Sequence, residues 1–283
     1  MDSGGPALVV APLKDEADAV CRRLAERGFP SNPAQIGALT CAVVPALDMI
    51  IGIGGVGKAQ FGVQAQHLLD RCREARLLIC VGGAGKLSPD VTVGDVIVGT
   101  RTIEHDYRER FHPRPSPSYQ SDAAALAGLE HAVAARELDF RVHFGPIASG
   151  DEDVVDTVRR AQLYAETDAL CVAWEGSGAA RAARFTNVGF VELRVVTDAA
   201  DETAAASFHA NLDRVMPHIA DLLAAWRSAL GERASHLGSE LAGASDSRSS
   251  SADGSASAAT IARFCGFRNP SATARSNSAS SGS

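Results

Sequence analysis

Short, almost continuously apolar runs of strand length, separated by helix-length amphipathic stretches, constrain this chain more than any other feature. The runs are "PALVVAP", "CAVVPA", "LDMIIGIGG", "ARLLICVGG", "VGDVIVGTRTIEH", "RVHFGPIASGD", "ALCVAWE" and "GFVELRVVTD", rich in β-branched residues. A strand with one wet face alternates apolar with polar residues, so unbroken apolar runs predict a sheet covered on both faces. The intervening "EADAVCRRLAERG", "KAQFGVQAQHLLDRC", "AAALAGLEHAVAARE", "DTVRRAQLYAETD", "SGAARAARF" and "FHANLDRVMPHIADLLAAWRSALG" carry the helical period. Strands alternating with helices predict an α/β fold, a three-layer α/β/α sandwich.

The 283 residues, 46% of them apolar, suit one large domain. From about Gly231 the composition shifts to Ser/Ala/Gly tracts such as "GASDSRSSSADGSASAAT", which cannot bury enough apolar surface to offset their ordering entropy. The expected division is a catalytic domain over 1–230 and a disordered tail over 231–283. A net charge of −7 argues against a nucleic-acid partner. Scattered cysteines without a C-x-x-C pair, a start without a basic leader and no run of spanning length predict a cytoplasmic protein without membrane insertion.

Two glycine motifs invite other conclusions. "GIGGVG" at Gly52–Gly57 matches a dinucleotide fingerprint, but the next strand, "ARLLICVGGAG", ends in glycine where an acid would meet the ribose. The overlapping G-x-x-x-x-G-K has Ala59 where a triphosphate loop needs a hydroxyl for magnesium. What remains is a tight strand-to-helix turn.

The ordered segments "APLKDEAD", "CVGGAGKLSPDVTVGDVIVG", "GPIASGD", "VAWEG" and "RVVTDAAD" together resemble the nucleoside phosphorylase and nucleosidase superfamily over about residues 7–228. The resemblance is closest to the methylthioadenosine/S-adenosylhomocysteine nucleosidases. It implies a phosphorylase-like fold with a central mixed sheet, and hydrolysis of the N-glycosidic bond of a purine nucleoside without cofactor or metal. By the same resemblance Glu16 polarises the attacking water, with Arg194 near that water. Asp198 protonates N7 of the leaving purine, and Glu175 binds the ribose hydroxyls. Phe208 lines the pocket of the 5′ substituent, Trp174 lies against the nucleoside, and Gly83 sits in the second glycine turn. Asp153 and Val154 fall in the segment that walls the base. A homodimer is implied, with "YRERFHPRPSPSY", Tyr107 to Tyr119, as the loop approaching the partner's pocket.

The residue types suit that chemistry. Breaking an N-glycosidic bond leaves an electron-poor sugar and an electron-rich base, so one carboxyl must donate a proton while others face the sugar as anions. Asp198 is expected with a raised pKa and Glu16, near Arg194, ionised. The plainer alternatives are that Glu16 complements a helix dipole and that Asp198 caps the next helix. His105-Asp106 is expected to orient a neighbouring turn, since it lacks zinc-ligand spacing.

Departures from the family pattern bear on substrate and reaction. Cys80 and Gly83 stand where phosphorylases hold phosphate with arginine and serine, which favours hydrolysis. Lys58 and Lys86 are the other cations near the glycine turns, and they keep a phosphorylase in view beside a non-catalytic nucleoside-binding module. Ala173 replaces the first glutamate of the paired motif, Trp174 a methionine, and Asp153 the aromatic residue that stacks on adenine.

Overall fold

The structure, a computed structural model, describes residues 6–242, and side chains as far as residue 230. In chain order the elements are β1 (Ala7–Ala11), α1 (Lys14–Glu26), β2 (Asn32–Ile36), β3 (Leu39–Val44), β4 (Met49–Ile53), α2 (Lys58–Arg71), β5 (Leu77–Lys86) and β6 (Val96–Glu104). There follow β7 (Ser118–Gln120), α3 (Ala123–Ala135), β8 (Val142–Ser149), α4 (Thr157–Thr167), β9 (Cys171–Ala173), α5 (Gly176–Thr186), β10 (Gly189–Asp198) and α6 (Ala204–Ala242).

Both faces of the sheet are covered, as the unbroken apolar runs require. In β1 the side chains of Ala7, Val9 and Ala11 enter one apolar cluster, with Val20 and Leu24 of α1, Leu129 of α3 and Val215, Leu222 and Trp226 of α6. Leu8 and Val10 point the other way, against Phe61 and Leu68 of α2 and Ala179 and Ala183 of α5. The three layers and the mixed sheet are those the sequence predicts. Local chemistry sets the helix limits: Asp122 caps α3 by accepting the Ala125 N–H at 2.9 Å, and Asp156 caps α4 through the Arg159 N–H at 2.7 Å. α5 stops at Asn187, whose φ of 58° is left-handed.

Strand order is β10-β6-β8-β9-β5-β1-β4-β3-β2, and β5 pairs back onto β10. Five strands therefore close a ring, from which β1, β4, β3 and β2 extend as an open wing. β5 is the hub: it runs parallel to β1 and β10, and its last residues, Gly85 and Lys86, pair antiparallel with β9. Two strands carry no clear signal in the residue pattern: β2, an edge strand containing Pro33, and the three-residue β7.

α2 and α5 approach backbone to backbone. A Cβ on Gly178 would lie 2.2 Å from the Lys58 carbonyl oxygen, so only glycine lets the first turns of these helices meet. α6 passes the expected boundary at residue 230 and continues to Ala242. The remainder of the expected tail, 243–283, lies outside the described residues.

Candidate active site

A cavity of about 340 Å³ opens beyond the carboxyl ends of β1, β5, β9 and β10, the edge where open α/β sheets place ligands. All the site residues expected from sequence line it: Glu16, Gly83, Asp153, Val154, Trp174, Glu175, Arg194, Asp198 and Phe208.

Glu16 sits in the first turn of α1 and is 2% exposed. Its Oε2 accepts the Leu13 N–H at 3.0 Å, the capping half of its role, while Oε1 accepts the Gly83 N–H at 2.8 Å across the cavity floor. One carboxylate thus caps α1 and also reaches the cavity. Its ionisation differs from expectation. Burial pushes its pKa up from 4.5 to about 7, although the Gly83 N–H, the Arg194 charge and the Leu13 N–H all pull it down. Arg194 therefore does not keep Glu16 fully ionised near neutrality.

Arg194 is itself buried and shared. Its Nη2 donates to Glu175 Oε2 at 3.2 Å and its Nε to Glu192 Oε1 at 2.8 Å. Burial opposes its charge, yet the Glu192 and Glu175 carboxylates help hold its pKa well above the usual value. Gly82 makes the approach of Arg194 and Glu16 possible. A Cβ there would stand 2.7 Å from Arg194 Nη1 and 3.0 Å from Glu16 Oε1. Gly82→Ala is expected to lower stability by about 1–3 kcal/mol, the usual range for overpacking. Thermal unfolding checks this, and an unchanged midpoint would mean that the two groups separate freely.

Glu175 ends the β9 turn and precedes α5. Its Oε1 accepts the Gly57 N–H at 3.2 Å, so the "GIGGVG" turn that failed as a nucleotide motif serves to hold this carboxylate. The next donor, the Lys58 N–H, goes to Asp151 Oδ1 at 2.8 Å. Two of the chain's own carboxylates thus occupy the amino end of α2, where an anion would otherwise bind. Ser149 braces the turn, donating to the Trp174 carbonyl at 2.9 Å and accepting the Ser177 N–H at 2.9 Å.

Asp198 closes β10 and is 6% exposed. It does not cap α6, which begins at Ala204; Asp201 accepts the Thr203 N–H at 2.9 Å in the turn before that helix. Asp198 Oδ1 accepts the Ala200 N–H at 2.9 Å, and Oδ2 lies 2.8 Å from the Thr197 hydroxyl, which is also 3.1 Å from the Ala84 carbonyl. A hydroxyl has one proton. Thr197 either donates to an ionised Asp198, or donates to Ala84 and accepts from a protonated Asp198. Burial raises the pKa of Asp198, as expected, against the pull of the Ala200 N–H and Thr197.

Phe208 of α6 packs over the glycine turn. A Cβ on Gly83 would come within 2.8 Å of Thr197 Cγ2 and 2.9 Å of Phe208 Cε2, so this site has no room for the family's serine without repacking. Val154 is buried, whereas Asp153 is exposed and His209, also on the wall, was not anticipated. Of the His105-Asp106 pair, Asp106 orients the neighbouring turn by accepting the Asp151 N–H at 2.9 Å. His105 is buried, with neither ring nitrogen hydrogen-bonded and Nδ1 lying 3.6 Å from Glu152 Oε2, and burial lowers its pKa. Among the described residues no cluster of His, Cys, Asp or Glu is arranged to hold a metal, and no helix is long and apolar enough to cross a membrane.

Residues 6–226 match the phosphorylase superfamily. The chain belongs to that superfamily. A 5'-methylthioadenosine/S-adenosylhomocysteine nucleosidase from an Exiguobacterium species is 29% identical over 170 residues, 57% of this chain and 72% of the relative. Among solved superfamily structures, the nucleosidase of that name from S. pneumoniae superimposes with a TM-score of 0.71 at 22% identity, covering 80% of this chain and 99% of that one. The futalosine hydrolase of Helicobacter pylori gives 0.70 at 21% identity, with 79% and 97% covered. These likenesses establish the phosphorylase-like fold.

Proposed function

We propose that this chain is a purine nucleosidase that hydrolyses the N-glycosidic bond of a methylthioadenosine- or S-adenosylhomocysteine-like nucleoside. One observation carries the reading: Glu16 and Asp198, two buried carboxyl groups with raised pKa, line one cavity together with Glu175. Glu16 as an anion takes a proton from water, whose oxygen bonds to C1′ of the sugar. The C1′–N9 bond breaks, its electron pair passes to the purine, and Asp198 delivers its proton to N7. Glu175 binds the ribose hydroxyls and adds negative charge beside the developing oxocarbenium ion. Phe208 and Trp174 supply apolar walls, and the Val154 segment borders the base.

The charge balance favours water over phosphate. Five acidic side chains line the cavity against Arg194 and His209, and Arg194 is already held by Glu175 and Glu192. Lys58 is held by Glu104 at 3.1 Å and Asp106 at 2.6 Å, and neither Lys58 nor Lys86 lines the cavity. A phosphate dianion would meet neither lysine there and an arginine already engaged. The test is product analysis on a nucleoside panel, with and without phosphate. Free sugar in both conditions is expected; a sugar 1-phosphate would identify a phosphorylase, and no base release would leave a binding module.

Asp153 sets the base preference in this reading, by accepting a hydrogen bond from an exocyclic amine or ring N–H. Asp153→Phe is expected to move relative kcat/KM toward adenine-bearing thionucleosides, since an aromatic ring stacks on the base for about 1 kcal/mol. Equal adenosine-to-inosine ratios in both proteins would place Asp153 outside the base site. The catalytic unit is residues 1–230 with the rest of α6, acting in the cytoplasm. It is a homodimer in which the 107–119 loop, with Phe111 95% exposed, approaches the partner's pocket. An active monomer in light scattering would overturn that assembly.

A further inference from the structure

Glu192 lies two residues before Arg194 on β10, a spacing that puts both side chains on one face of the strand. It has no exposed surface and does not line the cavity. A buried carboxylate persists only with partners, and this one has a fitted set. Oε1 accepts Arg194 Nε at 2.8 Å, and Oε2 accepts the Thr102 hydroxyl of β6 at 2.6 Å. Opposite, α5 begins at Gly176, where a Cβ would stand 2.0 Å from Glu192 Oε2. The residue following Glu175 must therefore lack a side chain for Glu192 to reach its place.

The guanidinium is a rigid fork of five donors. With its Nε edge held by Glu192, its terminal nitrogens turn toward Glu175 Oε2, Cys80 Sγ at 3.4 Å and the Gly83 carbonyl at 3.4 Å. Glu16 lies beside the same nitrogens across Gly82. We propose that Glu192 is a positioning residue of the active site: it fixes the Arg194 guanidinium for Glu175 and Glu16, and its charge limits how strongly Arg194 stabilises the Glu16 anion. The catalytic meaning of this rests on the nucleosidase reading, but the coupling itself does not. The groups facing Glu16 are Arg194 from β10, Glu175 before α5, Cys80 and the Gly83 N–H from β5, and the Leu13 N–H. Those facing Glu192 are Arg194, Thr102, and the thiols of Cys80 and Cys171. Burial pushes the Cys171 thiol up and keeps Cys80 well above its usual value, so both stay neutral and Arg194 is the cation that connects the carboxylates.

Glu192→Gln keeps the shape and an acceptor for Arg194 Nε while removing the charge. The expected result is a fall of about 1 pH unit in the titration of Glu16, because the released Arg194 charge favours its anion. The titration is followed by carbon-13 NMR of the carboxyl carbon, assigned against Glu16→Gln. In the Arg194→Met background the same substitution is expected to add no shift, since the effect runs through the guanidinium. A folded Glu192→Gln protein with the wild-type titration, or an equal shift in both backgrounds, would overturn the proposal. If Glu192→Gln does not fold, Thr102→Val, which frees Glu192 Oε2 and loosens its hold on Arg194 without removing either charge, is expected to move the titration by less, and an unmoved titration there overturns it too. The NMR measurement needs no substrate, so failure of the coupling and failure of the nucleosidase reading are separate results.

Discussion

Asp198→Asn is expected to slow base release by about a hundredfold or more, the usual contribution of a positioned general acid, while leaving nucleoside binding measurable. Asparagine is the neutral isostere of a protonated aspartic acid. Its Oδ1 can still accept the Ala200 N–H, and its amide can donate to the Thr197 hydroxyl in place of the acid proton. What it cannot do is release that proton to N7. Stability is therefore expected to change by only about 1 kcal/mol or less, because the amide keeps the shape and both hydrogen-bond partners of the acid. The check is base release alongside thermal unfolding. A wild-type rate would remove Asp198 from the mechanism, and a large loss of stability would show that the aspartate is held as an anion.

Glu16→Gln is expected to abolish turnover, and the wild-type enzyme is expected to gain kcat/KM as pH rises through about 7, where the buried Glu16 ionises. Stability carries the opposite slope. The folded pKa of about 7 exceeds the ordinary 4.5, so between these values the folded state binds more protons than the unfolded one. The resulting stability is fully present below pH 4.5 and is lost as pH rises through 7, by about 3 kcal/mol in total at 1.36 kcal/mol per unit. Glutamine does not titrate, so this part of the pH dependence should vanish in the mutant. Its absolute stability is a poorer guide, because an amide can accept only one of the Leu13 and Gly83 N–H groups. Denaturant unfolding from pH 4 to 9 measures the slope; the same slope in both proteins would assign the raised pKa to another group.

The two predictions require opposite protonation in one cavity, and the two carboxyl groups have different neighbours. Asp198 lies between the Thr197 hydroxyl and the Ala200 N–H, whereas Glu16 has two N–H donors and a shared arginine. Composition alone suggested that Arg194 would keep Glu16 ionised. It did not reveal that Arg194 is already divided between Glu175 and Glu192.

Much of the molecule was legible in its residues. The unbroken apolar runs implied a doubly covered sheet, since a strand's side chains alternate faces and β1 is apolar on both. The acids and glycines at strand ends were legible through their order and resemblance to a family, and they do meet in one cavity. Tertiary structure alone decided the rest. A strand pattern states which faces are buried but not which strands pair, so the return of β5 onto β10 had no local signal. Glu192 was hidden for a related reason: a glutamate within a strand has no distinctive pattern until Thr102, Gly176 and Arg194 are brought around it from distant segments. The titration of Glu16 was settled in the same way, because desolvation and charge act through space on groups that the folded chain alone brings together.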